Sequence, residues 1–168
     1  MVAWAPDYLT VQEQADYMRI DDDVDDAEIA VVITGASRAI DNHCNRQFGV
    51  VAAPEARRYT AWADYERGRW VVDIDDLQTA VGLVVTVTDV GTITDYDLEP
   101  PNAVLEGLAW THLSVKPISS VMPTGESHEM AITASWGWTA VPVPVKLAAR
   151  LQASRFLSRR NSPYGIAG

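Results

Sequence analysis

Residues 32–41 read VITGASRAID, and two structures compete for them. In one, Val32–Thr34 is a buried strand that turns at Gly35 and holds a phosphate group against the following helix. In the other, the whole stretch lies inside an amphipathic helix. The flanking sequence decides between them. Asp25, at the end of an acidic run, can cap a helix, and Glu28 three residues later can complete a capping box. The carboxylates of Asp21, Asp22, Asp23, Asp25 and Asp26 also suit the positive end of a helix dipole. From there Ile29, Ile33, Ala36, Ile40 and Cys44 fall at helical spacing on one apolar face. The pattern predicts a helix from about residue 26 to Arg46 or Gln47, closed by Gly49, and roughly 30 Å long.

The phosphate-turn reading fails on its own terms. The turn that opens a short-chain dehydrogenase needs further glycines, so that backbone can approach a pyrophosphate. Ala39 and Asp41 stand where they would fall, and an aspartate there sets negative charge against phosphate. That family's Tyr-x-x-x-Lys pair is also absent. Gly35 is therefore read as a mid-helix glycine that permits close packing at some cost in propensity.

Working outward, Thr10 and Glu13 form the pattern of a second capping box, which predicts a short helix to about Arg19. Beyond Gly49 the period changes. Residues 70–74, 83–88, 95–98 and 130–134 are β-branched or alternate, with turns at Asp89–Gly91 and Pro100–Asn102. Residues 55–137 are expected to be a mostly antiparallel β unit closed by Trp136-Gly137-Trp138. Pro144 then sits in the first turn of a last helix over 143–160, carrying Leu147, Ala148, Leu151 and Phe156. Residues 161–168 should be a flexible tail. The fold class expected is α+β: a helical bundle of a short, a long and a C-terminal helix (7–49 and 143–160) with a β insertion, in a single domain.

Composition narrows the function. The net charge of −10 argues against general affinity for nucleic acid or an anionic membrane. The single cysteine, Cys44, rules out an internal disulfide and suits a reducing compartment. It is expected to be a buried small hydrophobe. No export signal or membrane-spanning run is expected. Asp21, Asp23 and Asp25 alternate as in a calcium loop, but the glycine and the twelfth-position glutamate that such a loop needs are Asp26 and Val32. His43 and Cys44 are neighbours on a helix and do not face each other. His112 and His128 belong to no zinc pattern, and no nucleophile elbow or phosphate-binding lysine loop occurs. No catalytic, cofactor or metal residue is assigned, and an enzyme is not expected. Six tryptophans are many for this length, so some are expected at subunit contacts or covering the β unit.

Charge is unevenly spread. Acids dominate from Asp7 to Asp41, whereas Val141–Gly168 holds no acid but Lys146, Arg150, Arg155, Arg159 and Arg160. Such asymmetry marks a candidate contact surface.

One resemblance covers nearly the whole chain. Residues 7–49 resemble the front of head-tail connector (adaptor) proteins of tailed bacteriophages. The matching residues are Leu9, Thr10, Tyr17, Arg19, Ile20 and Asp21, then Asp25 and Asp26, then Cys44, Arg46, Phe48 and Gly49. Leu98-Glu99-Pro100, Asn102-Ala103 and Trp136–Trp138 resemble the middle of siphophage members from actinobacterial hosts, and RFLSRRNSPYGIAG (155–168) resembles their tail. The resemblance implies a structural virion protein in the neck, assembled in the host cytoplasm. Such connectors form a ring, usually dodecameric, below the portal protein. They extend the channel for duplex DNA without sequence-specific binding and present a docking surface to a tail-side stopper or terminator. Arg155, Arg159, Arg160 and Tyr164 are the expected portal contacts. A cytosolic regulatory or scaffolding adaptor is the alternative, and a dinucleotide-dependent reductase the disfavoured one.

Overall fold

In a computed structural model, which describes residues 6–160, three helices and two antiparallel sheets make an α+β fold. The chain divides into two compact units, Met1–Gly49 with Ala140–Gly168, and Val50–Thr139. Trp4, Tyr164 and the expected tail over 161–168 lie outside the described residues.

The first unit holds the helices α1 (Val11–Met18), α2 (Asp26–Cys44) and α3 (Val143–Arg160). The N-terminus of α1 is closed reciprocally. The Glu13 N–H donates to Thr10 Oγ1 at 3.1 Å, and the Thr10 N–H donates to Glu13 Oε2 at 2.9 Å. Arg19 ends the helix in the left-handed conformation. At α2 the chemistry differs from expectation. Asp25 occupies the cap position, but its ψ of 4° leaves its side chain without a cap hydrogen bond, so the expected box with Glu28 does not form. Its carbonyl engages the helix, accepting from the Ile29 N–H at 2.9 Å.

α2 also stops earlier than Arg46. Asn45 turns left-handed at φ 48° and its N–H caps the Asp41 carbonyl; Cys44, the last residue of the helix, is exposed rather than buried. Ile29, Ile33 and Ala36 are buried with Leu9, Ala15, Ala149 and Leu157. On α3 the buried stripe is Ala149, Ala153 and Leu157, while Leu147, Ala148 and Leu151 face solvent. Small residues at four-residue spacing let α3 approach its neighbours closely.

Gly35 lies inside α2, as the capping argument requires. A Cβ built on it would meet Phe156 at 3.7 Å, an ordinary contact, so close packing does not demand glycine. Gly35→Ala is expected to stabilise the protein by about 0.5–1 kcal/mol. Thermal melting checks this: a rise of roughly 1–4 °C is expected, and a fall would mean that the Phe156 ring cannot accommodate a methyl group.

The second unit has two four-stranded sheets. One has the order β1 (Glu55–Tyr59), β8 (Met130–Ala134), β4 (Val84–Val87), β5 (Gly91–Ile93). The other has the order β2 (Trp62–Asp64), β3 (Arg69–Leu77), β7 (Trp110–Val115), β6 (Tyr96–Glu99). Val85, Val87, Met130, Ile132 and Ala134 from the first sheet and Val72, Leu77, Leu113 and Val115 from the second alternate inward and are buried. Trp136-Gly137-Trp138 closes the unit by backbone bonds. The Trp136 carbonyl accepts from Val51, the Gly137 carbonyl from Gln78, and the Gly137 N–H donates to Asp76. Gly137 does this at φ 100°, which an L side chain rarely adopts. Trp136 and Trp138 are buried, whereas Trp62 is exposed.

Candidate interaction surface

The polar letters of the opening stretch have a structural use. Thr34, Ser37, Arg38 and Asp41 fasten residues 6–8 along α2. Thr34 Oγ1 donates to Asp7 at 2.9 Å, and the Tyr8 N–H donates to Ser37 Oγ at 3.1 Å. Arg38 Nη2 donates to the Pro6 carbonyl at 2.6 Å. The Tyr8 hydroxyl donates to Asp41 and accepts from the Phe48 N–H. Arg38 and Asp41 approach to 3.2 Å as an ion pair without an aligned hydrogen bond. Burial first, and then the bond to Asp41, raises the Tyr8 phenol well above its ordinary range. Thr34, Ser37 and Arg38 Nη2 are thus bonded within the chain itself.

α3 carries the expected contact residues, and α1 fixes its position. Lys146 Nζ lies 2.9 Å from Glu13 Oε1, Gln14 Nε2 donates to Ser154 Oγ at 2.9 Å, and the Arg150 guanidinium lies 5.9 Å from the Tyr17 ring centre. The Thr10 N–H and then Lys146 hold the Glu13 carboxyl below the usual carboxylate range. Two of the five basic residues after Val141 therefore face α1. Arg155 and Arg159 are exposed and form no ion pair with a described residue. Arg160 ends α3, and Tyr164 lies beyond the described residues. The segment ahead of α2 supplies the opposite charge, with Asp21, Asp22 and Asp23 all exposed. Sequence reading missed the apolar half of the α3 surface. Leucines at 147 and 151 look like core until the alanines at 149 and 153 are seen to take that place.

In the second unit, a groove of about 450 Å³ runs beside the edge strand β6, lined by Tyr96, Asp97, Leu98, Glu99, Pro101 and Trp110. Its carboxylates are already paired. Asp97 lies 2.9 Å from Lys116 and 2.7 Å from Arg69, and Glu99 lies 3.1 Å from Arg67. Hydrogen bonds from Lys116 and then Arg69 hold Asp97 below its ordinary range, which suits it to structure rather than proton donation. Among the described residues, no three His, Cys, Asp or Glu side chains are placed to share a metal ion, and no helix is long and apolar enough to cross a membrane. The chain matches no protein-family model, no curated protein and no solved structure.

Proposed function

We propose that this chain is a head-to-tail connector of a tailed bacteriophage, a ring-forming structural protein that sits below the portal and extends the DNA channel. The observation that carries the reading is the order of its motifs along the chain. They run from Leu9-Thr10 and Tyr17–Asp21, through Cys44–Gly49 and Leu98–Ala103, to Trp136–Trp138 and the basic end after Arg155. Several of these residues stand at joints of the fold, which supports reading the pattern as architectural. Arg19 ends α1, the Phe48 ring packs edge-on to Tyr8 at 6.2 Å, and Trp136-Gly137-Trp138 closes the β unit. In this reading α1, α2 and α3 form a bundle that the β unit interrupts as an insertion.

Charge fits the role. Twelve copies at −10 would bring on the order of −120 to the ring before counterions. An acidic channel repels duplex DNA and lets it slide, whereas a basic lining would grip it. The basic end of α3 and the residues after it then belong on the portal side. Truncation at residue 158 tests this. It spares Ala149, Ala153 and Leu157, the buried stripe of α3, so the helices keep their core. Attachment to DNA-filled heads, measured by co-sedimentation, is expected to fall about tenfold or more. Normal attachment would exclude Arg159, Arg160 and Tyr164 as the contact. Failure of the full-length chain to bind portal or DNA-filled heads would overturn the connector reading itself.

A further inference from the structure

The outer face of α3 is apolar along its first half. Val143, Leu147 and Leu151, four residues apart and so stacked along one side, are 79%, 51% and 44% exposed. Arg155 continues that side with an exposed positive charge. A matching surface of opposite charge lies in the same compact unit. Val24, in the turn before α2, and Val31, in its second turn, are 82% and 66% exposed, and Asp21, Asp22 and Asp23 stand exposed just ahead of them. The two surfaces leave each other uncovered within one chain. Each is what the other lacks: apolar area with a basic rim, and apolar area with an acidic rim.

From this complementarity we infer that the outer face of α3 docks on the start of α2 in a second copy of the chain, Val143, Leu147 and Leu151 meeting Val24 and Val31, and Arg155 meeting Asp21–Asp23. The contact is heterologous, so each copy keeps one of each surface free and association propagates head to tail. It deepens the ring reading by naming the contact that repeats. It gives Arg155 to the neighbouring copy and leaves Arg159, Arg160 and Tyr164 to the portal side.

Cross-linking of the full chain tests it. In a Cys44→Ser background, which removes the exposed native thiol, a Leu147→Cys chain is mixed with a Val31→Cys chain and treated with a short bis-maleimide. The mixed 147–31 product is expected to exceed either self-product by about tenfold. Arg155→Glu on the first chain should lower it severalfold, and Asp22→Lys with Asp23→Lys on the second should restore it. A mixed yield no greater than that of a Tyr65→Cys control, which places an exposed thiol in the other unit, would overturn the inference, as would charge reversal without effect. The connector reading is judged separately. Attachment to DNA-filled heads without the 147–31 product removes this interface alone. The product without attachment removes the connector function and keeps the interface.

Discussion

Trp136→Ala is expected to cost about 3–5 kcal/mol of unfolding free energy. The indole is 1% exposed and does three things at once. Its Nε1–H donates to the Glu55 carbonyl at 2.8 Å, which ties the end of β8 to the start of β1. Its ring carries the Arg57 guanidinium at 5.0 Å and packs beside Tyr59 at 5.7 Å. Arg57 and the Tyr59 hydroxyl in turn converge on Asp75 of β3, at 2.7 and 2.8 Å, and so reach the other sheet. Truncation to alanine removes the platform under all of these and leaves the Glu55 carbonyl short of a donor. Trp136→Phe keeps most of the volume and loses the N–H, so about 1–2 kcal/mol is expected. Urea unfolding followed by tryptophan fluorescence suits the test, because Trp62, Trp70, Trp110 and Trp138 remain in the same unit as reporters. An alanine cost below about 1 kcal/mol would show that the two sheets close without this residue.

Features set by local chemistry were legible in the sequence, whereas those set by distant partners were not. The Thr10/Glu13 box forms because cap and partner are three residues apart and need nothing else. The acidic run before α2 carries the same letters, but the turn in which the Asp26 N–H donates to the Asp23 carbonyl leaves Asp25 at a ψ of 4° rather than in the extended conformation of Thr10, and no side-chain cap bond forms. Ile29, Ile33 and Ala36 were readable as a stripe and Ile40 packs half-buried against the same core, yet the buried face also takes Ser37 and Asp41 and leaves out Cys44. What decides that is Tyr8, some thirty residues upstream, whose backbone and hydroxyl need those two polar partners. Residues 130–134 match β8 and the region 55–137 contains every strand, but β1, β2, β5 and β7 were not picked out. β1 (EARRY) is largely polar and exposed on one side and so lacks an apolar alternation. Its place beside β8 is fixed by pairing over some seventy residues, which no local pattern encodes. The α3 surface was half legible. The basic letters were plain, but which leucines face outward depends on where α1 and α2 lie.

Glu129→Ala is expected to remove about 3 kcal/mol at neutral pH, and the part of that loss that rests on the ionised carboxylate should vanish in acid. The residue is buried immediately before β8, the strand between β1 and β4. It accepts from the Thr124 N–H, from Thr124 Oγ1 at 2.8 Å and from the Gly125 N–H at 2.6 Å. Gly125 sits at φ 86°, with the Trp70 ring 3.1 Å from where a Cβ would stand, so the loop is held between Glu129 and β3. Burial works to raise the Glu129 carboxyl, but hydrogen bonds from Thr124, Gly125 and Glu126 outweigh it and hold the group below its ordinary 4.5. The sign follows. A carboxyl lowered on folding contributes its full stabilisation above the unfolded value and loses it as pH falls through the folded one. The gap between wild type and Glu129→Ala should therefore be constant from pH 8 to about 5.5 and narrow steadily below the unfolded value. Glu129→Gln discriminates charge from shape. Both carboxylate oxygens accept, so an amide must turn its NH₂ toward a donor, and about half the alanine loss is expected with no narrowing of the pH kind between Gln and Ala. Unfolding free energies measured across this range for the three proteins decide the matter. A gap between wild type and alanine that is flat down to pH 3 would mean that the loop is held by packing on Trp70 and not by the ionised carboxylate.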